Sequence, residues 1–263
     1  MSYVKEYWTN KEKRAKQAIN HTEEMWKKYG KQICISAMNT KEYHKNYRCI
    51  IQAPDKDCKI IIDPLDSVSA ILKYKQDGKR AAVLNFSSYK NPGGMFINGS
   101  KAQEECLCHE SYLYNVLSQH EGFYSWNNEN KNKSLYFNRP LYTPDVLFFR
   151  SGDEKFCDVI TCAAPNKSAA QKYQGVSNEE NTEALKSRIN FVLDIAKTHK
   201  IDTLILGAYG CGVFGQDSAE VASIFKHCLA TTHNCFENVV FAIPEGRTGN
   251  YEAFADVFGD TAH

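Results

Sequence analysis

The 263-residue sequence has almost no net charge, with 32 basic residues against 31 acidic ones. That balance excludes a global electrostatic case for nucleic-acid binding and leaves only local patches. No apolar run is long enough to span a bilayer, and residues 1–30 hold no secretory hydrophobic segment, so a cytoplasmic protein with no membrane partner is expected. Proline is scarce, and no proline- or serine-rich linker divides the chain; no internal repeat is found. The ten cysteines include no CxxC pair and, without a leader peptide, read as free thiols rather than disulfides. Cys106, Cys108 and His109 come closest to a metal set. On a helix, however, positions i and i+2 point apart, so no metal is expected.

What is present is a core-forming composition, 43% apolar, arranged in alternating strand and helix patterns. Residues 3–30 read as one or two amphipathic helices ending at Gly30. Short strands are expected at 48–52 and 59–63, then a helix from Ser67 to about Gly78. AAVLNF (81–86) is continuously apolar, the mark of a strand buried on both faces. A helix is expected over 102–118, followed by a polar stretch whose NNENKNK run forms a solvated tip. Further strands are expected at 146–150, 157–164, 201–210 and 237–243. Helices are expected at 178–199 and from Asp217–Ser218 onward. A short tail completes the chain. Such alternation predicts an α/β layer architecture in one domain with an N-terminal helical extension.

Two of these strands run into glycine loops and then helices: AAVLNF into NPGGMFING, and TLILGA into YGCGVFGQD. In open α/β sheets, ligands sit at the carboxyl ends of strands. Backbone amides in such loops hold anions without lysine. The second loop lacks the GK[ST] ending of a P-loop, and Gly207, Gly210 and Gly212 do not have dinucleotide-binding spacing. Plain tight turns are the competing reading. Phe214 suits either stacking on a sugar or base or plugging the core. The first loop leads to Gln103, Glu104 and Glu105. These carboxylates suit proton chemistry or, equally, the helix dipole. Being consecutive, they point about 100° apart on a helix.

PGGMFINGSKAQEE closely resembles the signature of the poly(ADP-ribose) glycohydrolases. VLNFSSYKNPGG, ESYLY, VITCAAPN and LGAYGCGVFGQD resemble the bacterial type of that family. The resemblance implies a macrodomain-like three-layer α/β/α sandwich with a mixed central sheet. Residues 1–45 would be the helical extension and residues 46–263 the catalytic core. It also implies hydrolysis of ribose–ribose O-glycosidic bonds in ADP-ribose polymers carried on protein or DNA, by a monomer without cofactor or metal. By position, Glu105 would be the catalytic acid/base, and Glu104 and Gln103 would orient the ribose. Gly93 and Gly94 would form the loop against the terminal ADP-ribose, and Asn91 would contact ribose. Gly210, Cys211, Gly212 and Val213 would cradle the diphosphate, Phe214 would position the ribose, and Phe241 would stack on adenine. A raised pKa is expected at Glu105, from its neighbour and from partial burial. Met95 stands where the family has a third glycine; a left-handed backbone there would be strained. Competing readings are a hydrolase of single ADP-ribose groups on protein or DNA, a non-catalytic ADP-ribose reader, and a scaffold with incidental turns.

Overall fold

The computed structural model describes residues 10–50, 56–231, 235–246 and 248–259. The chain begins with α1 (Lys11–Asn39) and β1 (Lys41–Glu42), followed by β2 (Lys59–Asp63), α2 (Ser67–Tyr74) and β3 (Ala81–Phe86). Next come α3 (Gln103–His109), α4 (Leu113–Leu117) and α5 (Glu121–Glu129), then the hairpin of β4 (Leu141–Arg150) and β5 (Asp153–Cys162). The remaining elements are α6 (Lys167–Gln174), α7 (Asn178–Thr198), β6 (Thr203–Leu206), α8 (Ser218–Thr231), β7 (Asn238–Ala242) and α9 (Asn250–Phe258).

Seven strands form one mixed sheet in the order β1-β4-β5-β3-β6-β7-β2. β5, β3, β6, β7 and β2 pair in parallel, and β1 and β4 run antiparallel at one edge. β4 carries a register shift between Thr143 and Val146, at Pro144 and Asp145. A bulge is where a strand accommodates proline, which has no N–H to donate.

The period-2 alternation of β3 divides the core. Ala82 and Leu84 join a cluster with Leu185, Ile189, Val221, Phe225, Phe254 and Phe258 from α7, α8 and α9. Ala81 and Val83 join the opposite cluster, with residues of α1 to α5. The sheet therefore lies between two helical layers, the three-layer macrodomain-like sandwich. Apolar burial on both faces explains why its central strands are continuously hydrophobic. α1 supplies Ala18, Met25, Ile33 and Ala37 to the second cluster.

Several expected elements differ. Gly30 does not end α1; Tyr29 is kinked (φ −126°, ψ 19°), and the helix continues because Ile33 and Ala37 still face the core. The expected residues 3–9 of that helix lie outside the described residues, as do 51 and 52 of the expected strand at 48–52, whose residues 48–50 are irregular. The helix expected over 102–118 breaks at Ser111, which bridges to Phe148 of β4, while the Phe149 N–H donates to Glu110 O. Asn127 is not at a solvated tip: it is buried in α5, donates to Tyr89 O at 2.9 Å and accepts from Arg139 at 2.7 Å. α6 and α9 were not expected; α9 docks Phe254 and Phe258 four residues apart on the core.

Candidate active site

The glycine turn after β3 seats both glutamates. Gly93 and Gly94 each have φ near +63°, a conformation that L side chains adopt only with strain. A Cβ on Gly94 would lie 2.6 Å from Glu105 Oε1 and 2.9 Å from Glu104 Oε2, so two oxygens from consecutive residues converge on one backbone position. A Cβ on Gly93 would strike the Tyr114 ring at 2.7 Å. Both glutamates are buried.

Glu105 is the third residue of α3 and reaches back to the helix entrance: its Oε2 accepts from the Ala102 N–H at 2.8 Å, half of a capping box. Its Oε1 accepts from the Met95 N–H, also at 2.8 Å. Met95 therefore does through its backbone what a third glycine would do. Its φ is −111°, and its side chain is exposed, so the strain expected there is absent.

Glu104 points beneath the turn. It accepts from the Ser88 N–H at 2.6 Å and from Asn85 Nδ2 at 3.1 Å. Burial, opposed by these bonds and assisted by the Glu105 charge, raises its carboxyl from 4.5 to about 8. A raised carboxyl is thus found at Glu104. Raised in the folded protein, Glu104 holds a proton that the unfolded chain has lost between pH 4.5 and about 8. Stability therefore falls as pH rises through that window. The melting temperature of wild type should drop more between pH 5 and pH 8.5 than that of Glu104→Gln; parallel curves would contradict the assignment.

Gln103 does not turn outward. Its Oε1 accepts from the Phe86 N–H at 2.9 Å, and its Nε2 donates to Leu84 O at 2.9 Å and Ser67 Oγ at 3.1 Å. Its amide thereby ties α3 to the end of β3. Asn91 is exposed; its carbonyl accepts from the Gly94 N–H at 3.1 Å. It lines a separate cavity of about 320 Å³ with Tyr124 and Ser125 of α5.

The second loop closes a cavity of about 270 Å³, lined by Phe86, Ala102, Gln103, Ala164 and Tyr209 together with Gly210, Gly212, Val213 and Phe214. Gly210 has φ +79°, and a Cβ there would meet Ala164 Cβ and Gln216 Cγ, each at 2.9 Å. The N–H groups of Gly210, Gly212, Val213 and Phe214 donate to no acceptor among the described residues. Unpaired amides in a glycine turn form an anion cradle. Val213, at the rim of the cleft, is 90% exposed. Cys211 does not join the cradle as expected: it is absent from the lining, its N–H is already donated to Ala208 O at 3.2 Å within the turn, and its Sγ donates to Tyr209 O at 3.8 Å. Phe214 packs edge-on to Tyr136, ring centres 6.1 Å apart. Phe86, Ala102, Gln103 and Ala208 are shared with a second cavity of about 360 Å³ that continues past Ser67, Val68, Ile243 and Pro244. Phe241 lines neither cavity. Its ring is wholly buried against Phe225, Phe254 and Phe258, with no face for a base.

Asn85, Tyr209 and Ala164 were missed from sequence. Asn85 carried a signal, a polar residue inside an otherwise apolar strand. Among the described residues no cluster of three or more His, Cys, Asp or Glu could hold a metal.

Paired buried carboxylates on α3 beneath one glycine turn, with unpaired amides in the other, suit acid–base chemistry beside an anionic group. The sequence model described as microbial-type PARG, catalytic domain, matches residues 11–151, over half the chain. The chain belongs to that family, the microbial-type poly(ADP-ribose) glycohydrolases. Among solved structures, poly(ADP-ribose) glycohydrolase from Thermomonospora curvata is similar at 28% identity and TM-score 0.85, over 93% of this chain and 99% of that one. The same enzyme bound to the inhibitor ADP-HPD matches at 28% identity and TM-score 0.83, over 92% and 98%. The Deinococcus radiodurans glycohydrolase in complex with ADP-ribose matches at 27% identity and TM-score 0.77, over 87% and 97%. No curated protein matches.

Proposed function

We propose that this chain releases ADP-ribose from ADP-ribose polymers by cutting ribose–ribose O-glycosidic bonds, with Glu105 as acid and base. The observation that carries this reading is the convergence of Glu105 Oε1 and Glu104 Oε2 on Gly94, while Ala102 and Gln103, which precede them in the chain, stand in the wall of a cleft rimmed by free amides. The diphosphate would lie on the N–H groups of Gly210, Gly212, Val213 and Phe214, with the adenosine running into the second cavity. Phe214 would flank the distal ribose.

Glu105 in its acid form would donate a proton to the leaving ribose oxygen as the anomeric carbon becomes oxocarbenium-like. Its carboxylate would then take a proton from a water entering where the leaving group departed, so one residue serves both steps. Glu104, held by the Ser88 N–H and Asn85 Nδ2, fixes the turn beside Glu105. Gln103 acts by holding α3 on β3, and Asn91 by holding the turn through its carbonyl. No step requires a metal.

The carrier is proposed to be protein or DNA, in the cytoplasm. All ten cysteines are free, which suits a reducing compartment. No helix among the described residues is long and apolar enough to cross a membrane. The test compares ADP-ribose release from polymer, from mono-modified protein and from mono-modified DNA. Polymer should be processed fastest; release only from mono-modified substrates would overturn the reading.

Met95→Gly should keep kcat within about threefold of wild type. The N–H that serves Glu105 survives, and added loop freedom costs about 1 kcal/mol or less of stability. A tenfold change in kcat would show that the Met95 side chain takes part.

A further inference from the structure

Arg188 of α7 is 1% exposed, among the most deeply buried large side chains of the protein. Its guanidinium is held entirely by neutral acceptors. Nε donates to Asn138 Oδ1 at 2.7 Å, one terminal nitrogen donates to Ala163 O, and the other donates to Leu135 O at 3.2 Å. Arg80, Arg139 and Arg150 differ: each pairs with at least one carboxylate, Asp158, Glu42, and Asp66 with Glu110, respectively. Among the described residues no carboxylate lies within 4.0 Å of Arg188. The titratable groups that sense its charge are Cys162, Tyr209, Tyr89 and Tyr136, all neutral at physiological pH.

An unpaired buried charge is costly, and three hydrogen bonds to neutral oxygens offset only part of the desolvation. The position of this one is informative. Ala163, which accepts from the guanidinium, is followed by Ala164, part of the cleft lining under the amide cradle. Tyr209 lines the same cleft, and its hydroxyl donates to Cys162 O at 3.0 Å, on the strand end that Arg188 holds. The positive charge thus lies directly behind the cleft wall, in a setting where water screens it poorly.

We propose that Arg188 is an electrostatic positioning residue for the diphosphate: a buried, uncompensated cation behind the cradle that favours anionic ligands without touching them. The proposal rests on the reading that the diphosphate occupies the amide cradle. It explains how a cleft lined by glycine, alanine and aromatic residues, with no lysine or arginine among them, attracts a doubly charged group.

The test neutralises the charge without removing the side chain. Asn138→Asp puts a carboxylate where a neutral oxygen now accepts from Arg188 Nε; the Asn138 Nδ2 bonds to Ser187 O and Oγ are lost, the Ser187 hydroxyl can turn to donate to the new carboxylate, and an unchanged melting temperature checks that the fold is kept. Calorimetric dissociation constants for ADP-ribose and for uncharged adenosine are compared in wild type, Asn138→Asp, Arg188→Gln and Arg188→Lys. Asn138→Asp and Arg188→Gln should weaken ADP-ribose by about tenfold, and Arg188→Lys by much less, with adenosine changed less than about twofold in all three. Equal weakening of both ligands, or no weakening of ADP-ribose by Asn138→Asp, would overturn the proposal. Failure of wild type to bind ADP-ribose at all would instead sink the placement of the diphosphate. If Arg188→Gln does not fold, Asn138→Asp alone decides.

Discussion

Glu105→Gln is expected to lower kcat on ADP-ribose polymer by at least about 10³-fold while leaving the ADP-ribose dissociation constant within about fivefold. Glutamine matches glutamate in shape but can neither donate a proton at the required acidity nor accept one from water. The local geometry limits collateral damage. Glu105 accepts two backbone N–H groups, from Met95 and Ala102, each at 2.8 Å. A glutamine amide keeps one of these bonds through its oxygen and turns its NH₂ toward the other donor. The loss is one hydrogen bond, about 1–3 kcal/mol of stability, which should appear as a lower melting temperature rather than as lost binding. Single-turnover hydrolysis and calorimetry on the same preparation separate the two effects. Turnover within tenfold of wild type would remove Glu105 from the chemistry.

The second large effect is expected at Gly94. Alanine there must adopt φ near +63° and place its Cβ 2.6 Å from Glu105 Oε1 and 2.9 Å from Glu104 Oε2. Neither carboxylate can easily retreat, because Met95, Ala102, Ser88 and Asn85 hold them from the other side. The added methyl group must therefore move the turn or the two glutamates. Displacement of about 1 Å at a reacting group costs on the order of 10²-fold in rate. Gly94→Ala should accordingly lose about 10²-fold in kcat/KM on polymer. The contrast with Met95→Gly matters: Met95 has φ −111° and an exposed side chain, so the adjacent position tolerates what Gly94 cannot. A kcat/KM for Gly94→Ala within threefold of wild type would show that the turn does not set the carboxylates.

The sheet was legible because β3, β5, β6 and β7 are apolar on both faces and end in turn residues, a pattern that local sequence reports directly. Elements set by distant packing were not. α1 runs through Gly30 because Ile33 and Ala37 find a core that the helix itself does not encode. The break at Ser111 exists because β4 pairs with it. At the site, both glycine loops and the Gln103-Glu104-Glu105 run stood out in sequence, since glycine and charge at strand ends are local signals. Their division of labour was hidden. Gln103 bonds the backbone of Leu84 and Phe86, and burial raises the Glu104 carboxyl to about 8. Arg188 gives no local sign of lying behind a cleft built from segments over twenty residues away. Phe241 looked like a stacking residue until its strand register turned it into the core.

Glu105 is expected to confront the distal ribose while the amides of Gly210, Gly212, Val213 and Phe214 hold the diphosphate. A crystal structure of the protein with ADP-ribose tests it most directly. The predicted result has a Glu105 oxygen within hydrogen-bond reach of the distal ribose at its anomeric end, with phosphate oxygens on the N–H groups of Gly210, Gly212, Val213 and Phe214. A distal ribose lodged elsewhere, with Glu105 facing only the Met95 and Ala102 amides, would contradict it.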